Sequence, residues 1–189
     1  MKLTQTRLPE VVVIDLTLFP DDRGWFAESY SDRRFHDGLR AFGLTPPRPF
    51  VQDNHSLSAK GVLRGLHLQK APHPQGKLVR VVAGAAFDVA VDVRVGSPTF
   101  GQWVGVELSA ANHRMLWIPE GFAHGFMALE DDTHFLYKTT DYYARDCERA
   151  VRWDDPAIGI EWPDLTPVLA AKDAEAPTLA EARDAGDLF

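Results

Sequence analysis

Three residues able to bind phosphate and move a proton lie close together in the sequence. Arg64 and His67 occur in the stretch 61–67, and Lys77 follows His67 by ten positions, between segments that read as β-strands. A guanidinium and an ammonium bind phosphate oxygens, while an imidazole exchanges protons near neutral pH. Two cations beside one base therefore suit a substrate that carries phosphate and loses a carbon-bound proton.

The three-residue spacing of Arg64 and His67 would place their side chains on opposite faces of a regular strand. A bulge at Gly65 would bring them to one face, and glycine permits such a bend. Taken alone, His67 is equally well explained as a core histidine bonded to a backbone carbonyl. Lys77 favours the functional interpretation, because lysine is rarely buried in a sheet for packing alone.

A second histidine and two tyrosines extend the candidate site. His124 follows a proline–glycine turn within 117–126, where glycine lets a ligand approach the backbone closely. A tight hairpin with a surface histidine is the alternative. Tyr137 and Tyr143 share strand parity, so both would face a barrel interior if the strand is regular. Such tyrosines usually pack in the core or at the rim. A functional role is favoured here because they accompany His67 and Lys77.

The composition excludes several classes of protein. A net charge of −7 disfavours nucleic acid as a partner, which normally binds a basic face. No apolar run approaches the roughly 20 residues that span a bilayer, and residues 1–7 do not resemble a signal peptide. The single cysteine, Cys147, excludes an internal disulfide and indicates a reducing cytoplasm. We therefore expect a cytoplasmic enzyme that binds neither nucleic acid nor membrane.

The spacing of the histidines disfavours a metal site. Iron and zinc sites in small barrels usually need histidines a few positions apart with a carboxylate nearby. His67 has no second histidine one or two positions away, and His73 lies between two prolines, as in a surface loop. We expect no metal and no other cofactor.

Short strands separated by glycine, proline and aspartate dominate residues 51–153. The clearest is 87–94, in which valines and a phenylalanine alternate with Asp88, Ala90, Asp92 and Arg94. Strands at this spacing without intervening helices predict an antiparallel sandwich or barrel, with a jelly roll the best candidate. The expected fold class is all-β.

The two ends of the chain carry less regular patterns. Strands are predicted at 11–14 and 25–30, followed by a short helix that Ser31 caps and Gly43 ends. The tail from Leu169, within the C-terminal segment 154–189, is rich in alanine and glutamate and is expected to form a helix or loop packed on the outside. The apolar face of the predicted helix comprises Phe35, Leu39 and Phe42. With no linker or repeat, residues 1–189 are expected to form one domain, with residues 1–50 preceding the jelly-roll core.

Eight segments in one order resemble the dTDP-4-dehydrorhamnose 3,5-epimerase family over nearly the whole chain. They are residues 22–29, 51–56, 61–67, 75–80, 87–92, 97–101, 117–126 and 137–143. The resemblance implies a metal-free cupin-type jelly roll, or double-stranded β-helix, with a few short peripheral helices. It also implies a homodimer in which the N-terminal strand region crosses to the partner. One departure is Trp25-Phe26-Ala27, where members commonly carry a phenylalanine run.

The resemblance also implies roles for individual residues. His67 corresponds to the general base, Asp173 to the carboxylate that orients it, and Tyr137 to the proton donor. Lys77 corresponds to the group beside the substrate ketone, and Tyr143 to the residue that stacks on thymine. The other positions implied to contact the sugar nucleotide are Arg23, Phe26, Glu28, Gln52, Asn54, Arg64, His124, Glu148 and Lys172.

The activity implied is epimerisation at C3 and C5 of dTDP-4-dehydro-6-deoxy-D-glucose, which yields dTDP-4-dehydro-L-rhamnose. A C5-only enzyme, or another single-centre epimerase of a related dTDP-ketosugar, is the main alternative. A catalytically silent binding module is disfavoured, because binding alone requires no pairing of a base such as His67 with an acid such as Tyr137. A metal-dependent oxygenase is a more distant alternative.

Overall fold

The computed structural model describes residues 1–189, and thirteen strands make up most of its regular structure. The strands are β1 Lys2–Gln5, β2 Val12–Asp15, β3 Phe19–Asp21, β4 Gly24–Phe26, β5 Gln52–Ser58, β6 Leu63–Gln69, β7 Lys77–Ala83, β8 Ala85–Asp92, β9 Trp103–Ser109, β10 Arg114–Ile118, β11 Phe122–Ala128, β12 Thr133–Thr139 and β13 Glu148–Ala150. The helices are α1 Asp32–Ala41, α2 Ala171–Ala174 and α3 Leu179–Asp184.

Eight of these strands form one long antiparallel hairpin that rolls up into two sheets. Strand β5 pairs with β12, β6 with β11, β7 with β10, and β8 with β9 at the tip. Antiparallel pairing of β12 with β7 and of β11 with β8 then joins these strand pairs into the two sheets. The sheet orders are β1-β2-β10-β7-β12-β5 and β13-β6-β11-β8-β9. This nested pairing is a jelly roll, so the predicted all-β fold class is confirmed.

The inner faces of the two sheets meet in an apolar core. Ala86 and Ala90 of β8 face it from the five-stranded sheet, and Val79 and Val81 of β7 face it from the six-stranded sheet. Strand parity explains the arrangement, because residues two apart share a face. Phe126 of β11 stacks on Phe135 of β12 with ring centroids 4.0 Å apart, and this pair joins the sheets.

The outer faces of the sheets are covered by the ends of the chain. Leu179, Ala182 and Leu188 of the C-terminal segment pack on the outer side of the five-stranded sheet. Phe35 and Leu39 of α1 pack on part of the outer side of the six-stranded sheet. The part of the tail that contains α3 therefore lies on the outside, as predicted, whereas Asp173 of the same tail is buried and accepts a hydrogen bond from the backbone of Gly65 in β6.

Local structure differs from the prediction near residue 26. The predicted strand over 25–30 ends at Phe26, because its only partner is the three-residue strand β3. Tyr30 instead packs against Phe35 and Phe50. The predicted helix is present, although the side chain of Ser31 makes no capping hydrogen bond. No helix is both long and apolar enough to cross a membrane.

Candidate active site

A cavity of about 510 Å³ opens between the two sheets, and the stacked pair of Phe126 and Phe135 forms part of its lining. Polar side chains line it from both sheets: Arg64, His67, His124 and Glu148 from the five-stranded sheet, and Asn54, His55, Ser56, Lys77 and Tyr137 from the six-stranded sheet. The lining is completed from the C-terminal segment by Val168, Leu169, Ala170, Lys172 and Asp173. The cavity therefore has two sheet walls and a rim formed by the end of the chain.

His67 is held by a carboxylate from the far end of the sequence. Its Nε2 donates to Asp173 Oδ1 at 2.6 Å, and the backbone N–H of Gly65 donates to Asp173 Oδ2 at 3.3 Å. Burial raises the pKa of Asp173, but the hydrogen bond and charge of His67 outweigh it and lower that pKa. Because an ionised carboxylate can only accept, Nε2 carries the hydrogen and Nδ1 keeps its lone pair. His67 is thus arranged as a base.

A bulge in β6 brings Arg64 and His67 to the same face. Across the strand pair, His67 lies opposite His124 and Arg64 lies opposite Phe126. The segment between these two pairs is therefore one residue longer in β6 than in β11. Gly65 occupies the extra position with φ +138°, and a Cβ there would lie 2.5 Å from the backbone of β11. Only glycine fits this close approach. The prediction of a bend at Gly65 is therefore confirmed.

Lys77 is a buried cation at the bottom of the cavity. Only 8% of its surface is exposed, and its Nζ donates to the backbone carbonyl of His67 at 3.3 Å. Burial lowers the pKa of Lys77 to about 8, against the attraction of Asp88 and Glu148. The amine of Lys77 is consequently protonated in most molecules at neutral pH and contacts the backbone of His67.

Tyr137 occupies the wall opposite His67. It lies on β12 of the six-stranded sheet, whereas His67 lies on β6 of the five-stranded sheet. Burial raises the pKa of Tyr137, so the phenol stays protonated through neutral pH. A phenol and an imidazole therefore face one cavity from two sides.

His124 is buried and forms a second histidine–carboxylate pair. Its Nε2 donates to Asp88 Oδ2 of the neighbouring strand at 2.8 Å. Burial lowers the pKa of His124, so the ring is neutral at pH 7. The alternative of a surface histidine in a tight hairpin is wrong, because the turn ends at Gly121 and His124 already lies within β11.

Polar side chains link the rim of the cavity into a network. Lys172 Nζ and Tyr143 Oη both donate to the carboxylate of Glu148, at 3.0 and 3.1 Å. Gln52 Nε2 donates to Asn54 Oδ1 at 2.9 Å. Tyr143 lies on this rim with an exposed ring and not in the interior, because β12 ends at Thr139, before its position. No three His, Cys, Asp or Glu side chains converge to hold a metal ion.

Comparison with known proteins gives the family. The model of the family described as dTDP-4-dehydrorhamnose 3,5-epimerase matches residues 5–181. The enzyme of that name from Salmonella typhimurium is 54% identical over 183 residues, which cover 96% of this chain and 97% of the relative. The chain belongs to the dTDP-4-dehydrorhamnose 3,5-epimerase family. The resemblance found in the sequence is therefore confirmed.

Solved structures of this epimerase family share the fold. The dTDP-6-deoxy-D-glucose-3,5-epimerase of Legionella pneumophila, in complex with dTDP-4-keto-L-rhamnose, is 48% identical with a TM-score of 0.90. The alignment covers 99% of this chain and 96% of that one. A 3′-monoepimerase of Streptomyces bikiniensis, in complex with dTDP-quinovose, is 36% identical with a TM-score of 0.88, covering 97% and 91% of the two chains. Such neighbours confirm the jelly roll expected for an epimerase.

Most residues that the family resemblance implicates come together in this epimerase fold. Nine of them line the cavity: His67, Lys77, Tyr137, Asp173, Asn54, Arg64, His124, Glu148 and Lys172. Gln52 and Tyr143 adjoin it, since Gln52 donates to Asn54 and Tyr143 donates to Glu148, and both of these acceptors line the cavity.

Three of the implicated residues lie apart from the cavity of their own chain. Arg23 and Phe26 lie on the β3–β4 hairpin, where Arg23 pairs with Asp21 and Phe26 is 69% exposed. Glu28 follows the hairpin and pairs with Arg34 at 3.2 Å. Their separation from the cavity follows from the hairpin, which forms a sheet of its own.

Sequence reasoning did not assign a role to Asp88 or to the stacked phenylalanines. The alternation in 87–94 places Asp88 on the face opposite Phe87 and Val89, and in the structure both faces of β8 are buried. Ala86 and Ala90, two positions away on either side of Asp88, are small and face the core. An acidic residue between two small residues on an inner face is the sequence feature that could have identified Asp88. Phe126 and Phe135 give no signal beyond apolarity.

Proposed function

We propose that this chain converts dTDP-4-dehydro-6-deoxy-D-glucose into dTDP-4-dehydro-L-rhamnose by inverting C3 and C5, as a step of dTDP-L-rhamnose biosynthesis. The observation that carries the proposal is the placement of His67 and Tyr137 on opposite walls of one cavity, which the buried Lys77 also lines. A relative whose alignment covers 96% of this chain is named as an enzyme of this activity, which supports the proposal.

His67 acts as the general base. The protons on C3 and C5 are acidic because each carbanion delocalises onto the C4 carbonyl oxygen. The hydrogen bond from Nε2 to Asp173 orients the ring and leaves the Nδ1 lone pair to take the proton. One base serves both carbons, because the two flank the same ketone and the sugar ring shifts between the steps.

Lys77 stabilises the enolate oxygen that forms at C4. A well-placed donor of this kind contributes about 3 kcal/mol to the transition state. The only hydrogen bond of its Nζ goes to a backbone carbonyl at 3.3 Å, so further N–H groups remain for the substrate. An ammonium in this place supplies the charge stabilisation, and the proposed reaction needs no metal or cofactor.

Tyr137 returns a proton on the other face of the sugar. A single histidine would give back the proton it removed on the same side, without net inversion. A phenol on the opposite wall, kept protonated by burial, delivers the proton that changes the configuration. The two walls thus account for epimerisation rather than simple exchange.

The nucleotide binds at the rim. Arg64 and Lys172 provide cations for the diphosphate, and Tyr143 offers an exposed ring on which thymine stacks. Neutral His124 and the amides of Gln52 and Asn54 hydrogen-bond the substrate, with Glu148 as an acceptor. Binding energy from the remote nucleotide then positions the sugar between the two catalytic groups.

The working unit is a homodimer. The β3–β4 hairpin exposes Phe19, Trp25 and Phe26 by 55–69%, which is unusual for large apolar side chains of a monomer. Crossing of this hairpin to the other subunit would cover these rings and bring Arg23 and Glu28 to the partner's cavity. The reaction takes place in the cytoplasm, where a free thiol such as Cys147 stays reduced.

The proposed activity is tested with the purified protein and dTDP-4-dehydro-6-deoxy-D-glucose in heavy water. We expect NMR to show deuterium at both C3 and C5 and the configuration of the L-rhamnose product. Absence of deuterium at both carbons would refute the proposal.

A single-centre epimerase is the second candidate, favoured by the 3′-monoepimerase that shares the fold at a TM-score of 0.88. Inversion at C5 alone, or at one other centre of a related dTDP-ketosugar, would leave deuterium and inverted configuration at one carbon only. The same NMR spectra distinguish this outcome from inversion of both centres.

A further inference from the structure

A buried glutamine at the end of β6 has no part in the proposed mechanism. Gln69 is the last residue of this strand, and only 4% of its surface is exposed. It lies two positions after His67, so the two side chains leave the strand on the same face. A buried amide costs stability unless each of its polar groups is hydrogen-bonded, so the partners of Gln69 indicate what it holds.

The amide of Gln69 binds the backbone of two loops. Its Nε2 donates to the carbonyl oxygen of His73 at 2.7 Å and to that of Tyr142 at 3.2 Å. Its Oε1 accepts from the backbone N–H of Ala144 at 2.8 Å. The last two partners are the residues on either side of Tyr143. Gln69 therefore holds the chain before and after Tyr143, as the peptide group of a neighbouring strand would.

Tyr143 lies in a loop that no strand supports. Strand β12 ends at Thr139, and the ring of Tyr143 is 55% exposed. The N–H of Tyr143 donates to Gln52 Oε1 at 3.0 Å, and its Oη donates to Glu148 at 3.1 Å. Both partners belong to the proposed nucleotide site. Gln69 adds a contact from the strand that carries the proposed base.

The start of the same loop is held by other groups. The carbonyl oxygen of Asp141 accepts from Gln75 Nε2 and from Thr139 Oγ1, both at 2.8 Å. The carboxylate of Asp141 pairs with Arg48 at 3.2 Å. Loss of the Gln69 amide would therefore leave the start of the loop in place and loosen the residues that follow it.

We propose that Gln69 is a positioning residue for the nucleotide, which fixes the backbone around Tyr143 and thereby the place where this ring meets the thymine. This inference rests on the proposed function, in which thymine stacks on Tyr143. Gln69 does not line the cavity and acts through Tyr143. Because it follows His67 by two positions, about 7 Å along a strand, the same strand sets both the base and the nucleotide anchor.

The test is the Kd for dTDP, measured by calorimetry for the wild type and Gln69→Met. Methionine is unbranched and of similar length, so it fills the buried position but pairs with none of the three backbone groups. We expect the Kd to rise roughly tenfold, which is within the contribution of base–aromatic stacking. The KM of the sugar nucleotide should rise equally, with kcat within about twofold of the wild type. An unchanged Kd, or a loss of kcat at constant KM, would overturn the proposal.

Gln75→Met is the matched control. Its amide also binds a carbonyl of this loop, that of Asp141, but it does not hold the chain on both sides of Tyr143. The Kd for dTDP should change by less than about twofold, because the residues around Tyr143 keep their contacts with Gln69. Equal increases of the Kd in the two variants would show a general loosening of the loop and would overturn the proposal.

A double-mutant cycle tests whether Gln69 acts through the ring of Tyr143. Tyr143→Ala should raise the Kd for dTDP, and Gln69→Met should then cause no further increase in the Tyr143→Ala background. A further increase of about tenfold in the double variant would overturn the proposal. A wild-type Kd in Tyr143→Ala would overturn it as well, because the ring would then bind no base.

Gln69→Asn takes the place of Gln69→Met if the latter does not fold. It keeps a polar amide at the buried position but is one methylene shorter, so it cannot reach the same backbone groups, and the same results are expected. Failure of both variants to fold would show a structural role and overturn the proposal. Wild-type protein that binds dTDP but does not epimerise the sugar would refute the proposed function and leave the comparison of Kd values intact.

Discussion

His67 and Tyr137 divide the proposed reaction between them, one removing a proton and the other returning it. The two side chains lie on different sheets, and Asp173 fixes the ring of His67 at 2.6 Å. Each therefore has a separate consequence when it is removed. Exchange of the C3 and C5 protons with solvent reports on the base, and inversion of configuration at these carbons reports on the acid.

Replacement of His67 by alanine should abolish the uptake of solvent deuterium at C3 and at C5 together. The rate should fall by about a hundred- to ten-thousandfold, because no other group on that wall is placed as a base beside Asp173. Proton NMR of the recovered sugar nucleotide in heavy water measures this uptake. His73→Ala is the matched control, since His73 is half-exposed in a loop and lies outside the cavity. Normal exchange in His67→Ala would exclude His67 as the base.

Residue types and spacing made the site partly predictable. Arg64, His67 and Lys77 indicate phosphate binding and proton transfer by their chemistry and their closeness along the chain. Asp173 lies 106 positions from His67, and only the family resemblance linked them. Asp88 could not be assigned a role from the sequence. The alternation along a strand shows which residues share a face, but it does not show what packs against that face.

Strand β6 shows how one element positions two functional side chains. The bulge at Gly65 places Arg64 and His67 on one face, and it requires both a positive φ and a missing Cβ. The motif predicted that a bend was possible. Its position relative to β11 depends on contacts between distant segments, which spacing alone does not specify.

Gly65→Ala should destabilise the fold by more than about 3 kcal/mol and abolish activity. The new Cβ would lie 2.5 Å from Gly125 Cα, in addition to the strain of φ +138°. Urea denaturation measures the free energy of unfolding. Gly24→Ala is the matched control, because Gly24 has φ +132° and nothing within 4 Å of its added Cβ. Equal losses in the two variants would show that strain alone, and not the close approach of β11, makes glycine necessary.

The tip of the long hairpin, between β8 and β9, is held by a buried carboxylate. Asp92 accepts hydrogen bonds from Arg94, Ser97 and Thr99 at 2.6–3.0 Å. Burial raises the pKa of Asp92, but the bonds from Arg94, Ser97 and Thr99 outweigh it and lower the pKa to about 2. The lowered pKa means that the folded state favours the ionised form.

Asp92→Asn should cost about 2 kcal/mol of unfolding free energy at pH 7. Because the folded-state pKa lies below the usual value of 3.8, this stabilisation is present above pH 4 and is lost as the pH falls towards 2. Urea denaturation across this range should show a steeper loss for the wild type than for Asp92→Asn. Asp184→Asn, at an exposed carboxylate, is the control. Parallel curves for wild type and Asp92→Asn would contradict the assigned role of this carboxylate.

At the scale of the whole molecule, the exposed hairpin is the feature that a single chain does not explain. The rings of Phe19, Trp25 and Phe26 are exposed, and the outer face of the six-stranded sheet also exposes Leu57 and Val82. The family resemblance predicted the crossing of this region to a partner. The sequence pattern alone predicted a longer strand here and gave no sign of an interface.

Phe26→Asp should weaken the dimer and raise KM, while the fold of each chain stays intact because Phe26 is 69% exposed within its own chain. Sedimentation of the wild type should give twice the 21.1 kDa of one chain, and the variant should shift towards the monomer. Val95→Asp, at an exposed valine in the loop between β8 and β9, should leave both mass and KM unchanged. A fully active wild-type monomer would contradict the dimeric unit.

The most direct test of two catalytic walls is Tyr137→Phe with dTDP-4-dehydro-6-deoxy-D-glucose in heavy water. His67 remains, so part of the deuterium uptake at C3 and C5 should persist. The variant cannot deliver a proton to the sugar from the opposite wall. NMR should therefore show deuterated sugar with its original configuration and little or no inverted product. Inversion at the wild-type rate by Tyr137→Phe would show that the phenol is not the second catalytic group.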